Sequence, residues 1–190
     1  MGQKALPYEI ILIGASMGGI DAAIQILKPL SSSFPIPILL ILHRYKSPHS
    51  GLVSIFQREL ILQVREIEEK DQIQQGMVYI APADYHVLIE LDKSFSLDDS
   101  EPVNFSRPSI DISFESAAEV FGKKTIGIVL TGNNADGSSG LQKISRKGGL
   151  TIVQNPEEAE ATIMPSAALK KVSSAKALKL KEISILLQLI

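Results

Sequence analysis

The sequence predicts an α/β domain: a doubly wound, mostly parallel sheet with helices on both faces and a β-hairpin. Three observations point there. Short apolar runs alternate with stretches of helical periodicity along the chain. The runs end in glycine or in clusters of turn formers. The first two runs bracket a single helical segment, the pattern of a βαβ unit, whose two strands must lie parallel.

Each element follows from local chemistry. Ile10–Ile13 reads as a buried strand closed by Gly14. Ile20, Ala23, Ile24 and Leu27 then mark one face of a helix, which Pro29 stops. Ile36–Leu42 is the second buried strand, entered through Pro35 and Pro37. Gly51–Leu60 reads as a helix and Leu62–Ile67 as a strand. Met77–Ile80 and His86–Leu91 flank "APAD", which predicts that these two segments form a hairpin or bent strand pair. Residues 92–107 read as irregular. Phe114, Ala117, Ala118 and Phe121 mark a helix ended by Gly122. Ile126–Leu130 is a third buried strand, opening into the loop "TGNNADGSSG". Helix over Gly137–Lys147, strand over Leu150–Val153 and a terminal helix over Glu182–Gln188 complete the series. A chain of 190 residues in this pattern reads as one domain, 1–190.

Composition removes several function classes. Lys and Arg total 19 and Asp and Glu 21, a net charge of -2, so no global field draws the chain to nucleic acid or an anionic membrane. Cysteine is absent, which excludes disulfides, thiol catalysis and Cys-based zinc sites and fits a cytoplasmic protein. No signal core follows the N-terminus. Met1-Gly2 suggests myristoylation, but Leu6 stands where Ser or Thr is wanted. The longest apolar stretch is far below the ~20 residues of a membrane span, so no membrane insertion is expected. The three histidines, His43, His49 and His86, lack metal-ligand spacing, so no metal is expected. Lysines 170, 171, 176, 179 and 181 make the C-terminal region basic, which reads as a solvated face.

Open parallel sheets place their sites at the carboxyl ends of the strands. Strand one ends at Ser16, strand two at His43, and the strand over Ile126–Leu130 opens into the loop holding Asp136. A hydroxyl, a base and a carboxylate thus share one edge, the residue types of a hydrolytic triad. Gly14-Ala15-Ser16-Met17-Gly18 also fits the G-x-S-x-G turn that exposes a nucleophile before a helix. Each residue also has a plainer reading. Ser16 fits a tight turn, His43 a solvated strand end, and Asp136 an N-cap before Gly137. A dinucleotide loop fits less well, because Ser16 occupies its second glycine and no acidic residue ends strand two. No cofactor is expected.

"IGASMGG", "ILHR", "YIAPADYHVLI", "RPSID", "LTGNNADGSSG" and "IVQNPEEA" occur in the order found in CheB-type protein-glutamate methylesterases, which the chain resembles from Ile10 to Leu169. The resemblance implies a serine hydrolase that demethylates glutamate methyl esters on the cytoplasmic helices of chemoreceptors and also deamidates receptor glutamines. Carried over by position, it implies Ser16 as nucleophile, His43 as base and Asp136 as the orienting carboxylate. The Met17 N–H becomes an oxyanion donor, with a second from Gly132 or Asn133. His86 and Arg107 fall in shared segments as cleft-lining or supporting residues.

The chain departs from the family pattern at Asn133-Asn134, where Met or Gly is common. It departs again at Arg44 and the following Tyr45-Lys46-Ser47-Pro48. It also lacks the N-terminal receiver domain that family members commonly carry, so a receiver domain or other regulator in trans is an expected partner. The alternative reading is a catalytically weak or inactive partner-binding domain on the same scaffold.

Overall fold

The computed structural model describes residues 7–44 and 51–190. Met1-Gly2, Leu6, His49 and the Tyr45–Pro48 departure lie outside the described residues. A seven-stranded sheet runs through the centre in the order β3-β4-β2-β1-β7-β8-β9. Its strands are β1 (Ile10–Ala15), β2 (Ile38–Leu42), β3 (Gln63–Glu66), β4 (Met77–Ile80), β7 (Thr125–Val129), β8 (Leu150–Gln154) and β9 (Lys176–Leu178). Every pairing within it is parallel. The helices are α1 (Gly19–Leu27), α2 (Leu52–Glu59), α3 (Ile110–Phe121), α4 (Ser138–Arg146), α5 (Ile163–Lys171) and α6 (Leu180–Gln188). None is long and apolar enough to cross a membrane.

Strand pleating divides the core in two. On β1, Ile11, Ile13 and Ala15 join the layer that holds Ala23 and Ile26 of α1, Phe56 of α2 and Ile183 of α6. Ile10 and Leu12 point the other way, into the layer of Phe114 from α3, Leu141 from α4 and Met164 from α5. Helices therefore cover both faces, as the sequence predicts. The crossover from β1 passes to one face and that from β7 to the other. The crevice between those two strand ends is the topological switch point, where such sheets bind ligands.

The hairpin exists, but its strands differ from the expected ones. Met77–Ile80 lies inside the main sheet, parallel to both β2 and β3. The antiparallel pair is β5 (His86–Ile89) with β6 (Phe95–Asp98), inside the stretch read as irregular. Phe95 explains the docking of this ribbon. It is fully buried and meets Tyr79 of β4 edge-on at 4.9 Å between ring centroids, a favourable aromatic arrangement.

Candidate active site

The turn after β1 positions Ser16. The Ser16 N–H donates to the Thr131 carbonyl at 3.0 Å, tying the end of β1 to the segment beyond β7. Gly18 adopts φ +73 at the entry to α1, a conformation that costs a side chain about 1 kcal/mol or more. Gly132 serves by close approach: a Cβ there would lie 3.0 Å from Ser16 Cβ and 2.7 Å from Met164 Sδ. Its N–H is taken by the Ala161 carbonyl at 3.0 Å, so Gly132 has no donor to offer an oxyanion while that bond stands. Met17 is 53% exposed, and its carbonyl accepts the Thr131 hydroxyl at 2.9 Å.

His43 follows β2 and is held by its backbone, its N–H donating to the Ala15 carbonyl at 3.0 Å. Its Nε2 lies 2.8 Å from Asp136 Oδ2, with the two side chains 9% and 0% exposed. The sequence reading of a base beside a carboxylate is realised as a hydrogen bond between residues 93 positions apart.

Asp136 is the most heavily bonded group in the site. Oδ2 accepts from His43 and from the Ile110 N–H at 2.7 Å. Oδ1 accepts from the Ser109 hydroxyl at 3.0 Å, the Asp111 N–H at 3.1 Å and Asn104 Nδ2 at 3.3 Å. The first amides of α3, unsatisfied within the helix, are thus aimed at a buried carboxylate, with the favourable end of the helix dipole behind them. Burial raises the Asp136 pKa, but the His43 hydrogen bond and the Ile110 N–H oppose it more strongly, and the net result lies below the ordinary 3.8. Asp136 is an ionised acceptor at neutral pH.

Asp111 behaves in the opposite way. Burial pushes its pKa from 3.8 to about 6, the Gly140 N–H works against that, and the Asp136 charge adds to it. Asp111 Oδ1 accepts the Gly140 N–H at 2.7 Å, joining α3 to α4, while Asn104 Nδ2 bridges to its Oδ2 at 3.2 Å.

The open side of His43 faces a cleft of about 390 Å³ whose lining includes Ser16, His43, Asp84, Ser106, Arg107 and Asn134. His43 Nδ1 is 3.1 Å from Asn134 Nδ2 and 3.3 Å from Ser106 Oγ. Ser16 shares this cleft, but among the described residues no hydrogen bond joins its hydroxyl to His43. Arg107 also lines it, its guanidinium fixed by Asp84 Oδ1 at 2.6 Å and the Ser100 carbonyl at 2.8 Å. Arg44 joins the wall, donating to Glu66 and to the Ala81 carbonyl; its Nε is buried without a partner among the described residues. Phe105 stands fully exposed at the rim. His86 does not line the cleft. It is fully buried, its Nδ1 accepting the Ser109 N–H at 3.0 Å and its Nε2 donating to the Glu101 carbonyl at 3.1 Å. It braces the segment that presents Ser109 to Asp136.

Asn104, Ser106, Ser109 and the α3 amides escaped the sequence reading, and Asn134 entered it only as a departure within "LTGNNADGSSG". The "RPSID" segment was the signal for Ser109 and the α3 amides, and it marks a region without saying that its backbone meets a carboxylate.

This geometry belongs with a clear set of relatives. The model of the CheB methylesterase family matches residues 11–187. The chain belongs to the CheB methylesterase family. A protein of Leptospira interrogans with the provisional name protein-glutamate methylesterase/protein-glutamine glutaminase is 46% identical over 177 residues, 93% of this chain and 92% of the relative. The methylesterase FrzG of Myxococcus xanthus is 35% identical over 177 residues, and the chain spans 53% of its length. The crystal structure of the Thermotoga maritima CheB methylesterase catalytic domain superposes with a TM-score of 0.90 at 31% identity, covering 97% of this chain and all of that one. The doubly wound fold and the hydrolase reading of the sequence accord with that family, whereas the inactive-scaffold alternative finds no support in these relatives.

Proposed function

We propose that the chain is a protein-glutamate methylesterase acting on the cytoplasmic helices of chemoreceptors, with Ser16 as nucleophile, His43 as general base and Asp136 as the carboxylate that orients the base. The observation that carries this reading is the buried 2.8 Å His43–Asp136 hydrogen bond, in the cleft that Ser16 also lines. Asp136 accepts at Nε2, so the lone pair that takes a proton is at Nδ1, on the open side.

Ser16 Oγ attacks the ester carbonyl carbon as its proton passes to Nδ1. The tetrahedral oxyanion is held by the Met17 N–H, at the positive end of α1, and by the Asn133 N–H. Collapse expels methoxide, which leaves as methanol with the proton from Nδ1. Water then attacks the acyl-enzyme, giving up a proton to Nδ1, and glutamate and free Ser16 are regenerated. Asp136 holds the ring in one tautomer and stabilises the imidazolium between these steps. A glutamine side chain can enter the same cycle, releasing ammonia. That route is slower, because an amine leaves only when protonated in step with collapse.

Ser106 is the other hydroxyl beside His43, 3.3 Å from Nδ1. Ser16 is the better nucleophile candidate because it stands at a helix N-terminus that can hold an oxyanion. Methanol release from a methylated receptor fragment tests the assignment. Ser16→Ala and His43→Ala should each remove most turnover, and the double variant should lose no more than either single one. Near-normal methanol release by Ser16→Ala protein sinks it.

A further inference from the structure

The atom that must act as base is already occupied. Asn134 Oδ1 accepts the Asp136 N–H at 3.1 Å. An amide nitrogen cannot accept that bond, so the orientation of the side chain is fixed and Nδ2 is the atom turned toward His43. On the far side of the ring, Asp136 is an ionised, acceptor-only carboxylate, so the neutral ring carries its hydrogen on Nε2. Nδ1 is then a bare lone pair. It accepts from Asn134 Nδ2 at 3.1 Å, with the Ser106 hydroxyl at 3.3 Å as a second donor. Ser106 and Asn134 also lie 3.4 Å from one another, so the two close over Nδ1 together.

From this we propose that Asn134 is a positioning residue that caps the His43 lone pair in the ligand-free site and must yield it before Ser16 can be deprotonated. The inference rests on the triad reading above. Asn134 is half-buried and lines the cleft, so a substrate entering there meets it directly. A net hydrogen bond of about 1 kcal/mol corresponds to a factor of roughly five in the population of sites whose base is free. Asn134 thus lowers the reactivity of the empty site by occupying Nδ1, while taking no part itself in the bonds made or broken.

A purely structural role predicts a different ranking of variants. Asn134→Asp keeps the acceptor for the Asp136 N–H but exchanges the donor at Nδ1 for a carboxylate, which favours the imidazolium. Asn134→Gly and Asn134→Ala lose both contacts. The readout is the second-order rate at which a fluorophosphonate labels Ser16 in full-length protein without substrate, together with kcat/KM for methanol release. Circular dichroism checks that each variant is folded. The expected order is Gly and Ala above wild type, by about fivefold, and Asp below it. In ¹⁵N-histidine spectra the His43 Nδ1 resonance should move toward that of an unbonded lone pair in the Gly and Ala variants. Folded Gly and Ala variants that label at or below the wild-type rate overturn the cap. So does an Asp variant faster than the Gly variant, the order expected if Asn134 only supports its loop. Ser16→Ala, run alongside, separates the two ideas: retained turnover there removes the triad itself, whereas an inactive Ser16→Ala with unresponsive Asn134 variants removes only the cap.

Discussion

The two sides of the His43 ring are built in different ways. The Nε2 side is closed and saturated, with a fully buried carboxylate holding five donors, two of them backbone amides of α3. The Nδ1 side is open, and among the described residues its hydrogen-bond neighbours are the side chains of Asn134 and Ser106, with Ser16 lining the same cleft. Backbone donors survive every substitution except proline and barely move, so the closed side fixes the ring. Side-chain donors can rotate away, so the open side can pass its lone pair from one partner to another. Rigidity at the carboxylate and adaptability at the base follow from which atoms supply the hydrogen bonds.

Altering the closed side should produce the largest effects. Asp136→Asn places an amide NH2 against the N–H of Ile110 or of Asp111, whichever way it turns, and removes the charge that stabilises the imidazolium. Methanol release should fall by up to ~10⁴, and urea denaturation should show a loss of about 2–3 kcal/mol from the mismatched buried donors. Ser109→Ala removes one of the five donors to the Asp136 carboxylate and leaves four. It should cost about 1 kcal/mol and a much smaller part of kcat. If Ser109→Ala proved as damaging as Asp136→Asn, the closed side would be a fragile network rather than a redundant one.

The neighbouring carboxylate sharpens the comparison through pH. Asp111 has a folded pKa of about 6, above its ordinary 3.8. Its contribution to stability is therefore complete below 3.8 and is lost as pH rises through 6. Asp136, depressed in the folded state, contributes in the opposite sense: its stabilisation is present above 3.8 and is lost as pH falls. Asp111→Asn should abolish the decline between pH 4 and 7, on the order of 1–2 kcal/mol, when urea midpoints are followed against pH. A wild-type profile rising through that window would contradict the assignment.

The smallest effect is expected at the rim. Phe105 is 104% exposed, so Phe105→Ala should leave the urea midpoint within about 0.5 kcal/mol of wild type. If the ring touches the receptor helix, KM should rise with kcat unchanged, and an unaltered KM removes Phe105 from the substrate surface.

The same division explains what the sequence disclosed. Ser16, His43 and the Asp136 loop were legible because strand ends in a parallel sheet share an edge, whatever the details of packing. The other partners of Asp136 were not, because they come from residues 25 to 32 positions away whose approach depends on how α3 docks. The hairpin was assigned to the wrong strands for a similar reason. The "APAD" turn after β4 is a valid turn signal, but β4 inserts between β2 and β3, a long-range choice. β6 was missed because Ser96, Leu97 and Asp98 are only partly buried and offer little alternation. Pro165 hid α5, although a proline in the first turn of a helix lacks only an N–H that the helix does not use.

Mapping the fluorophosphonate adduct by mass spectrometry tests the central claim most directly, because it asks which hydroxyl His43 activates. The account predicts one adduct, on Ser16, formed at a rate that collapses in His43→Ala and Asp136→Asn. An adduct on Ser106, or labelling of Ser16 that is indifferent to both substitutions, would contradict it.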